Sequence, residues 1–248
     1  MTLSICILSY NTKGLTLKCL DSLISLYKKE IDRDLFEIIV VDNASTDGSV
    51  LHIKKNFPKV VLFENKENYG FSKGQNIAAK IARGTYLFFL NSDTQVIDNN
   101  LLGMVSYFES HKKVGVLGAK LCNPNGSVQL SAGKFYTLFN CIIMLFAGER
   151  IGFLRSSPKK ISEVDWVMGA AFMIKKKLFD ALGGFDEYFF MYVEDMEFCY
   201  RIKKAGYEVL VTPHVRVTHL GQGSSSKTFA IVNIFKGLLY FYKKHKRI

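Results

Sequence analysis

The chain has no CxxC pair, no Walker-type lysine loop and no apolar run long enough to cross a bilayer. Its five cysteines, Cys6, Cys19, Cys122, Cys141 and Cys199, are odd in number and scattered. That pattern argues against a zinc ribbon and a disulfide framework. Most of them sit in apolar runs, where a free thiol behaves as a small hydrophobe, and a reducing compartment is expected. The N-terminus lacks a basic region, so no secretory leader is expected. The longest apolar candidate, Phe135 to Ala147, is interrupted by Asn140 and falls short of the roughly 18 residues of a membrane span. A cytoplasmic protein is expected, with peripheral attachment to the cytoplasmic face of the inner membrane as an extension of that reading.

What is present is globular. The 248 residues are 48% hydrophobic and 22% charged, enough for one large α/β domain. The net charge is +11, from 33 basic and 22 acidic residues. A surface of that sign attracts nucleotides, nucleic acid or anionic lipid. No nucleic-acid recognition motif accompanies it, and the basic residues are scattered except at the C-terminus, so no nucleic-acid partner is expected.

Strands and helices alternate through the first half. Leu3 to Leu8, Phe36 to Val41, Val60 to Phe63 and Tyr86 to Leu90 read as buried strands, and helical spacing lies between them. This rhythm predicts a single Rossmann-like, mostly parallel sheet flanked by helices. In the second half, Val114 to Leu121, Trp166 to Ile174, Tyr207 to Val211 and Val215 to Thr218 read as strands. Glu194 to Ala205 reads as a helix stopped by Gly206.

Ligands bind outside the carboxyl ends of such strands. Three polar clusters fall there: Ser9-Tyr10-Asn11, Asp42-Asn43-Ala44-Ser45 and Asn91-Ser92-Asp93. Asp93 follows an all-apolar strand with no partner in its local sequence. A hard divalent cation, Mg²⁺ or Mn²⁺, would supply one while sharing substrate phosphates. A helix cap is the bland alternative, although Asp98 or Asn99 fills that place as well. Glu194 and Asp195 follow an aromatic run, Phe185 to Tyr192, whose desolvation raises a carboxylate pKa toward that of a general base. They also suit the first turn of a helix, where acidic residues favour the dipole. His219 ends a strand and precedes Gly221 to Lys227 (GQGSSSK), an anion-site composition with Lys227 in reach.

In order, ILSYN (Ile7 to Asn11), VVDNASTDGS (Val40 to Ser49), NYGFSKGQN (Asn68 to Asn76), FLNSD (Phe89 to Asp93), VMGAAFMIKK (Val167 to Lys176) and GGFDEYFFMYVEDMEFCYRIKKAGY (Gly183 to Tyr207) resemble family 2 inverting glycosyltransferases of the GT-A fold. The last two are most similar to a rhamnosyltransferase-like subgroup that builds bacterial surface polysaccharides. The resemblance implies that Ser9, Tyr10, Asn11 and Asp42 line the nucleotide, with Asn68, Gly70 and Asn76 at its border. It implies that Asn91 and Ser92 contribute at the family's DXD position, with Asn91 standing where the family has Asp, and that Asp93 and His219 hold the metal. Asp195 would be the general base beside Glu194, and Trp166, Gly169 and Lys227 would lie near the sugar. The implied partners are a nucleotide-diphosphate sugar donor and a saccharide or polyprenyl-linked saccharide acceptor. dTDP-rhamnose is the donor that the subgroup favours.

Residues 1–227 are expected to form the catalytic domain and 228–248 an amphipathic basic helix. Phe229, Val232, Phe235, Leu239 and Tyr242 fall on one face of that helix, before KKHKR. The face is read either as packed on the core or as lying in a membrane interface. Three rival functions are weaker: a sugar nucleotidyltransferase, which should carry a Gly-rich loop where SYNTKG stands, a non-catalytic nucleotide- or lipid-binding scaffold, and a nucleic-acid binder.

Overall fold

The structure is a computed structural model, and it describes residues 1–136, 155–221 and 227–246. The elements, in chain order, are β1 (Leu3–Ser9), α1 (Lys13–Asp32), β2 (Phe36–Asp42), α2 (Ser49–Asn56), β3 (Val61–Glu64), α3 (Gly70–Ile81), β4 (Tyr86–Asn91), β5 (Thr94–Val96), α4 (Leu101–Ser110) and β6 (Val114–Cys122). There follow β7 (Ala132–Gly133), β8 (Arg155–Ser156), β9 (Ser162–Glu163), β10 (Trp166–Val167), β11 (Ala171–Lys175), α5 (Lys176–Ala181), α6 (Glu194–Lys204), β12 (Glu208–His219) and α7 (Lys227–Lys244). The apolar segment expected near Phe135 to Ala147 lies outside the described residues from 137 onward, as do the loop 222–226 and the side chain of Lys227.

The main sheet runs β3-β2-β1-β4-β11-β6-β12-β5, with β9 on β12. The first four strands are mutually parallel, β11 is antiparallel to both its neighbours, and β12 is parallel to β6. The expected mostly parallel α/β architecture is what forms. All seven residues of β2 are buried, as expected of a strand covered on both faces, with the Glu37 carboxylate accepting from Ser4 Oγ and from Arg83. One core fills the α1 side of the sheet, with Leu20, Leu23, Phe88 and Phe108. The other lies under α3 and α6, with Phe89, Phe172, Phe185 and Phe198.

Two segments differ from the sequence reading. Trp166 to Ile174 is not one strand. Trp166–Val167 joins a three-stranded sheet with β7 and β8, and the main sheet resumes only at Ala171. Between them the amide of Gly169 turns toward Asp195. Conversely, Tyr207–Val211 and Val215–Thr218 are parts of one strand, β12, which carries Pro213 through a register irregularity between Thr212 and Arg216. A bulge is one of the few places where a strand tolerates a residue without an N–H.

Candidate active site

The carboxyl ends of β1, β2 and β4 lie side by side, with Ser9 opposite Asp42 and Leu8 opposite Asn91. Strand spacing is about 4.8 Å, which sets the three polar clusters within about 10 Å of one another. The first two loops are tied together. Asn11, in a left-handed conformation at φ 51°, receives Thr46 N–H on Oδ1 at 2.8 Å, while its own amide donates to Ser45 Oγ at 2.8 Å.

Asp42 carries the clearest sign of a missing partner. It is 1% exposed. Its Oδ1 accepts the Ser45 amide at 2.7 Å, but its Oδ2 is buried with no hydrogen-bond partner. A buried acceptor left unpaired is unfavourable by roughly 1–3 kcal/mol, so a ligand donor there is favoured.

Asp93 and His219 meet because the chain continues past β4 into β5, which pairs antiparallel with the end of β12, Thr94 opposite His219. His219 Nε2 stands 3.4 Å from Asp93 Oδ1, and both side chains are nearly enclosed. His219 Nδ1 lies 2.8 Å from Gln129 Oε1. With Gln129 Oε1 accepting, Nδ1 is the donor and Nε2 is the nitrogen turned toward Asp93. A carboxylate oxygen and an imidazole nitrogen so placed fit a divalent cation that takes its remaining ligands from a diphosphate. Among the described residues no cluster of three or more His, Cys, Asp or Glu side chains occurs, and Asp93 with His219 is the pair that such an ion would meet.

The carboxylate pair opens α6. Two successive residues before it, Tyr192 and Val193, are left-handed at φ 73° and 72°. This turn aims Glu194 and Asp195 from the helix start. Asp195 Oδ2 accepts the Gly169 amide at 2.8 Å and Oδ1 the Met196 amide at 2.7 Å. Asn91 N–H in turn donates to the Ala170 carbonyl at 2.9 Å, which links Asp195 to the end of β4 through two adjacent residues. Burial raises the Asp195 pKa, opposed by these amides and by the charge of Arg155. Glu194 is driven well above the ordinary carboxylate range, first by burial and then by the charge of Asp195, and its buried Oε2 has no partner. Burial thus disfavours the charged form of both adjacent carboxylates.

The other expected site residues surround these groups. Ser9 is fully buried, its hydroxyl 3.0 Å from Thr16 Oγ1 and 3.3 Å from Thr12 Oγ1. That hydroxyl ties the end of β1 to the start of α1. Ser92 Oγ lies 3.1 Å from Thr12 Oγ1. Tyr10 is half-buried. Asn68 accepts the Gly70 amide at 3.0 Å and the Asn43 side chain at 3.0 Å. Gly70 is left-handed, and a Cβ there would strike the Phe190 carbonyl, so this loop and the segment before α6 are closely fitted. Asn76 clasps both the amide and the carbonyl of Phe185 at 2.9 Å, again a brace on that segment. Trp166 is enclosed, with its indole N–H donating to the Lys134 carbonyl at 2.9 Å. Gln129, Thr12 and Arg155 escaped the sequence reading. Gln129 is 90 residues from His219 in a turn-rich stretch, and only the fold brings them together.

Residues 4–183 match the model of the family described as Glycosyl transferase family 2. Among curated relatives, the O-antigen biosynthesis protein RfbC of Myxococcus xanthus is 29% identical over 194 residues, covering 74% of this chain and 15% of that protein. The N-acetylglucosaminyl-diphospho-decaprenol L-rhamnosyltransferase of Mycobacterium tuberculosis (strain CDC 1551 / Oshkosh) is 25% identical over 201 residues, covering 73% of this chain and 66% of that one. The chain therefore spans a small part of the first relative and just under two thirds of the second. Among solved structures, GalNAc-T7 with UDP, GalNAc and Mn²⁺ superposes with a TM-score of 0.69 at 19% identity, over 98% of this chain and 50% of that one.

Proposed function

The chain belongs to glycosyl transferase family 2 and has the GT-A fold, and on that premise we propose that it moves a sugar from a nucleotide-diphosphate donor to a saccharide or lipid-linked saccharide hydroxyl in cell-surface polysaccharide synthesis, with inversion. The observation that carries this reading is the grouping of three functions around the carboxyl ends of the central strands. They are the orphaned Asp42 Oδ2, the Asp93–His219 pair and the amide-held Asp195.

Asp42 Oδ2 accepts a donor hydrogen from the base or ribose. A divalent cation held by Asp93 and His219, Mn²⁺ or Mg²⁺, would supply positive charge against the leaving nucleoside diphosphate. Asp195, fixed by two backbone amides, takes the proton of the acceptor hydroxyl. The acceptor oxygen bonds to the anomeric carbon as the bond from that carbon to the phosphate oxygen breaks, and one displacement inverts the centre. Burial and the neighbouring charge of Asp195 disfavour the ionised form of Glu194. GalNAc-T7 was solved with UDP and Mn²⁺, and the mycobacterial relative is named for a lipid-diphosphate acceptor and a rhamnosyl donor. These support the donor, metal and acceptor classes, and rhamnose as the sugar.

The test is a melting-temperature panel of UDP, dTDP, GDP and CMP, each with Mn²⁺, Mg²⁺ or chelator. A ligand that binds only the native state raises the midpoint by mass action. A metal-dependent rise with one nucleoside diphosphate supports the reading and names the donor. No rise with any of them sinks it in favour of a scaffold of the same fold.

A further inference from the structure

Helix α7 has two unlike faces. The inner one holds the chain to the catalytic helix. Gly237, Leu238, Phe241 and Tyr242 are buried, and the Tyr242 hydroxyl donates to the Tyr136 carbonyl. Gly237 lies so close to Val193 that a Cβ there would sit 3.0 Å from its Cγ2. Lys244 Nζ donates to Asp186 at 2.7 Å and to the fully buried Glu197 at 2.8 Å, and His245 Nε2 lies 3.1 Å from the same Glu197 oxygen. Arg201 closes the network, donating through Nε to Glu197 Oε2 at 2.9 Å and through its fork to the Leu182 and Gly184 carbonyls at 2.7 Å each.

The outer face is apolar where a solvated helix would be polar. Ile231 is 57% exposed and Leu239 61%, with Val232 and Phe235 between them at helical spacing and exposed as well. Lys236 and Lys243, seven residues apart, are exposed beside that row, and Lys246 is exposed just past the helix end. From Lys227 to Ile248 the sequence holds no aspartate or glutamate. A second copy of this chain would set one lysine row against another, which disfavours a self-complementary pairing. An anionic lipid surface answers both features at once, with acyl chains for the apolar row and headgroups for the lysines.

We propose that the outer face of α7 docks on an anionic bilayer, and that its inner face thereby holds the Glu194–Asp195 turn one helix diameter from the lipid surface. This deepens the lipid-linked acceptor assignment and rests on it only for the reason such docking is useful. A polyprenyl-diphosphate saccharide projects its first sugars over a distance of that order.

The test is flotation of the whole chain with vesicles of phosphatidylglycerol and phosphatidylcholine, against vesicles of phosphatidylcholine alone. Parallel runs use Phe235→Asp/Leu239→Asp and Lys236→Glu/Lys243→Glu, all at exposed positions. The expected result is flotation with the anionic vesicles only, lost in both variants while their melting temperatures and nucleotide-induced shifts match the parent. Flotation retained by both variants, or no flotation of the parent at low salt, overturns the proposal. So does a parent that sediments as a dimer and becomes monomeric in the Phe235→Asp/Leu239→Asp variant, because the face would then cover a second copy. The nucleotide shifts keep the two ideas apart. Flotation without any nucleotide shift would sink the transferase reading alone, and the reverse would sink the docking alone.

Discussion

The amide of Gly169 and the carboxylate of Asp195 lie 2.8 Å apart, and this hydrogen bond ties the start of α6 to the turn between β10 and β11. It fixes Oδ2 from one side while the Met196 amide fixes Oδ1 from the other. Each oxygen keeps a lone pair for an incoming proton.

Asp195→Asn retains an oxygen for one of these amides but removes the base. Transfer should fall by about 10²–10⁴-fold, the ordinary contribution of a positioned base. Nucleotide affinity should stay within about twofold. Product formation and donor binding, measured on the same preparation, check this, and near-parental turnover would refute the assignment.

Gln129→Leu tests the orientation of the imidazole. Gln129 touches no donor group in the proposed arrangement, yet its oxygen holds His219 in one tautomer. Loss of such a partner lowers metal affinity about 10–100-fold. Titrating Mn²⁺ against the nucleotide-induced melting shift should therefore show a higher half-saturating metal concentration, with the shift restored at saturation. Asp93→Ala should abolish the metal dependence outright.

The carboxylate pair sets a pH dependence. The folded-state pKa values of Glu194 and Asp195 both lie above their unfolded values. Stability from keeping them protonated is fully present below the unfolded values and is lost as pH rises through the folded ones. Glu194→Gln removes the contribution of Glu194 to that loss. It should raise the melting temperature relative to the parent at neutral and alkaline pH and leave it nearly unchanged near pH 4. The activity of the parent should have its acidic limb above the ordinary carboxylate range, because Asp195 must ionise.

Glu197→Ala leaves Arg201, Lys244 and His245 around an empty place in the interior. Breaking a buried ionic network from one side costs about 3 kcal/mol or more. Urea unfolding should show it. Glu197→Gln, which keeps hydrogen-bond acceptance, should recover part of the difference.

Much of the strand framework could be read from the sequence because the parallel strands are continuous apolar runs that stop at polar clusters. Asp42, Asn91 and Asp93 stand at those stops, and the sheet sets them side by side. Sequence periodicity carried less where contacts are distant. Nothing near Gln129 announces a partner for His219, and nothing near Ser9 announces that its hydroxyl meets Thr16. The C-terminal helix shows the limit most clearly. Phe229, Val232, Phe235, Leu239 and Tyr242 make one apolar face by spacing, but the fold buries Tyr242 and exposes Val232, Phe235 and Leu239. A helix apolar most of the way round gives no single direction for its moment. Gly237, the one position where the backbone can come up against Val193, decides which side turns inward.

The paired left-handed residues at Tyr192 and Val193 carry a consequence for laboratory evolution. Such a conformation is unfavourable for a side chain, by about 1–2 kcal/mol per residue, and glycine adopts it freely. A library selected only for heat resistance should therefore enrich glycine at these two positions, while a library selected for turnover should purge it, because the freed hinge no longer aims Asp195. Sequencing the two survivor pools side by side would turn a pair of dihedral angles into a measured trade between robustness and catalysis.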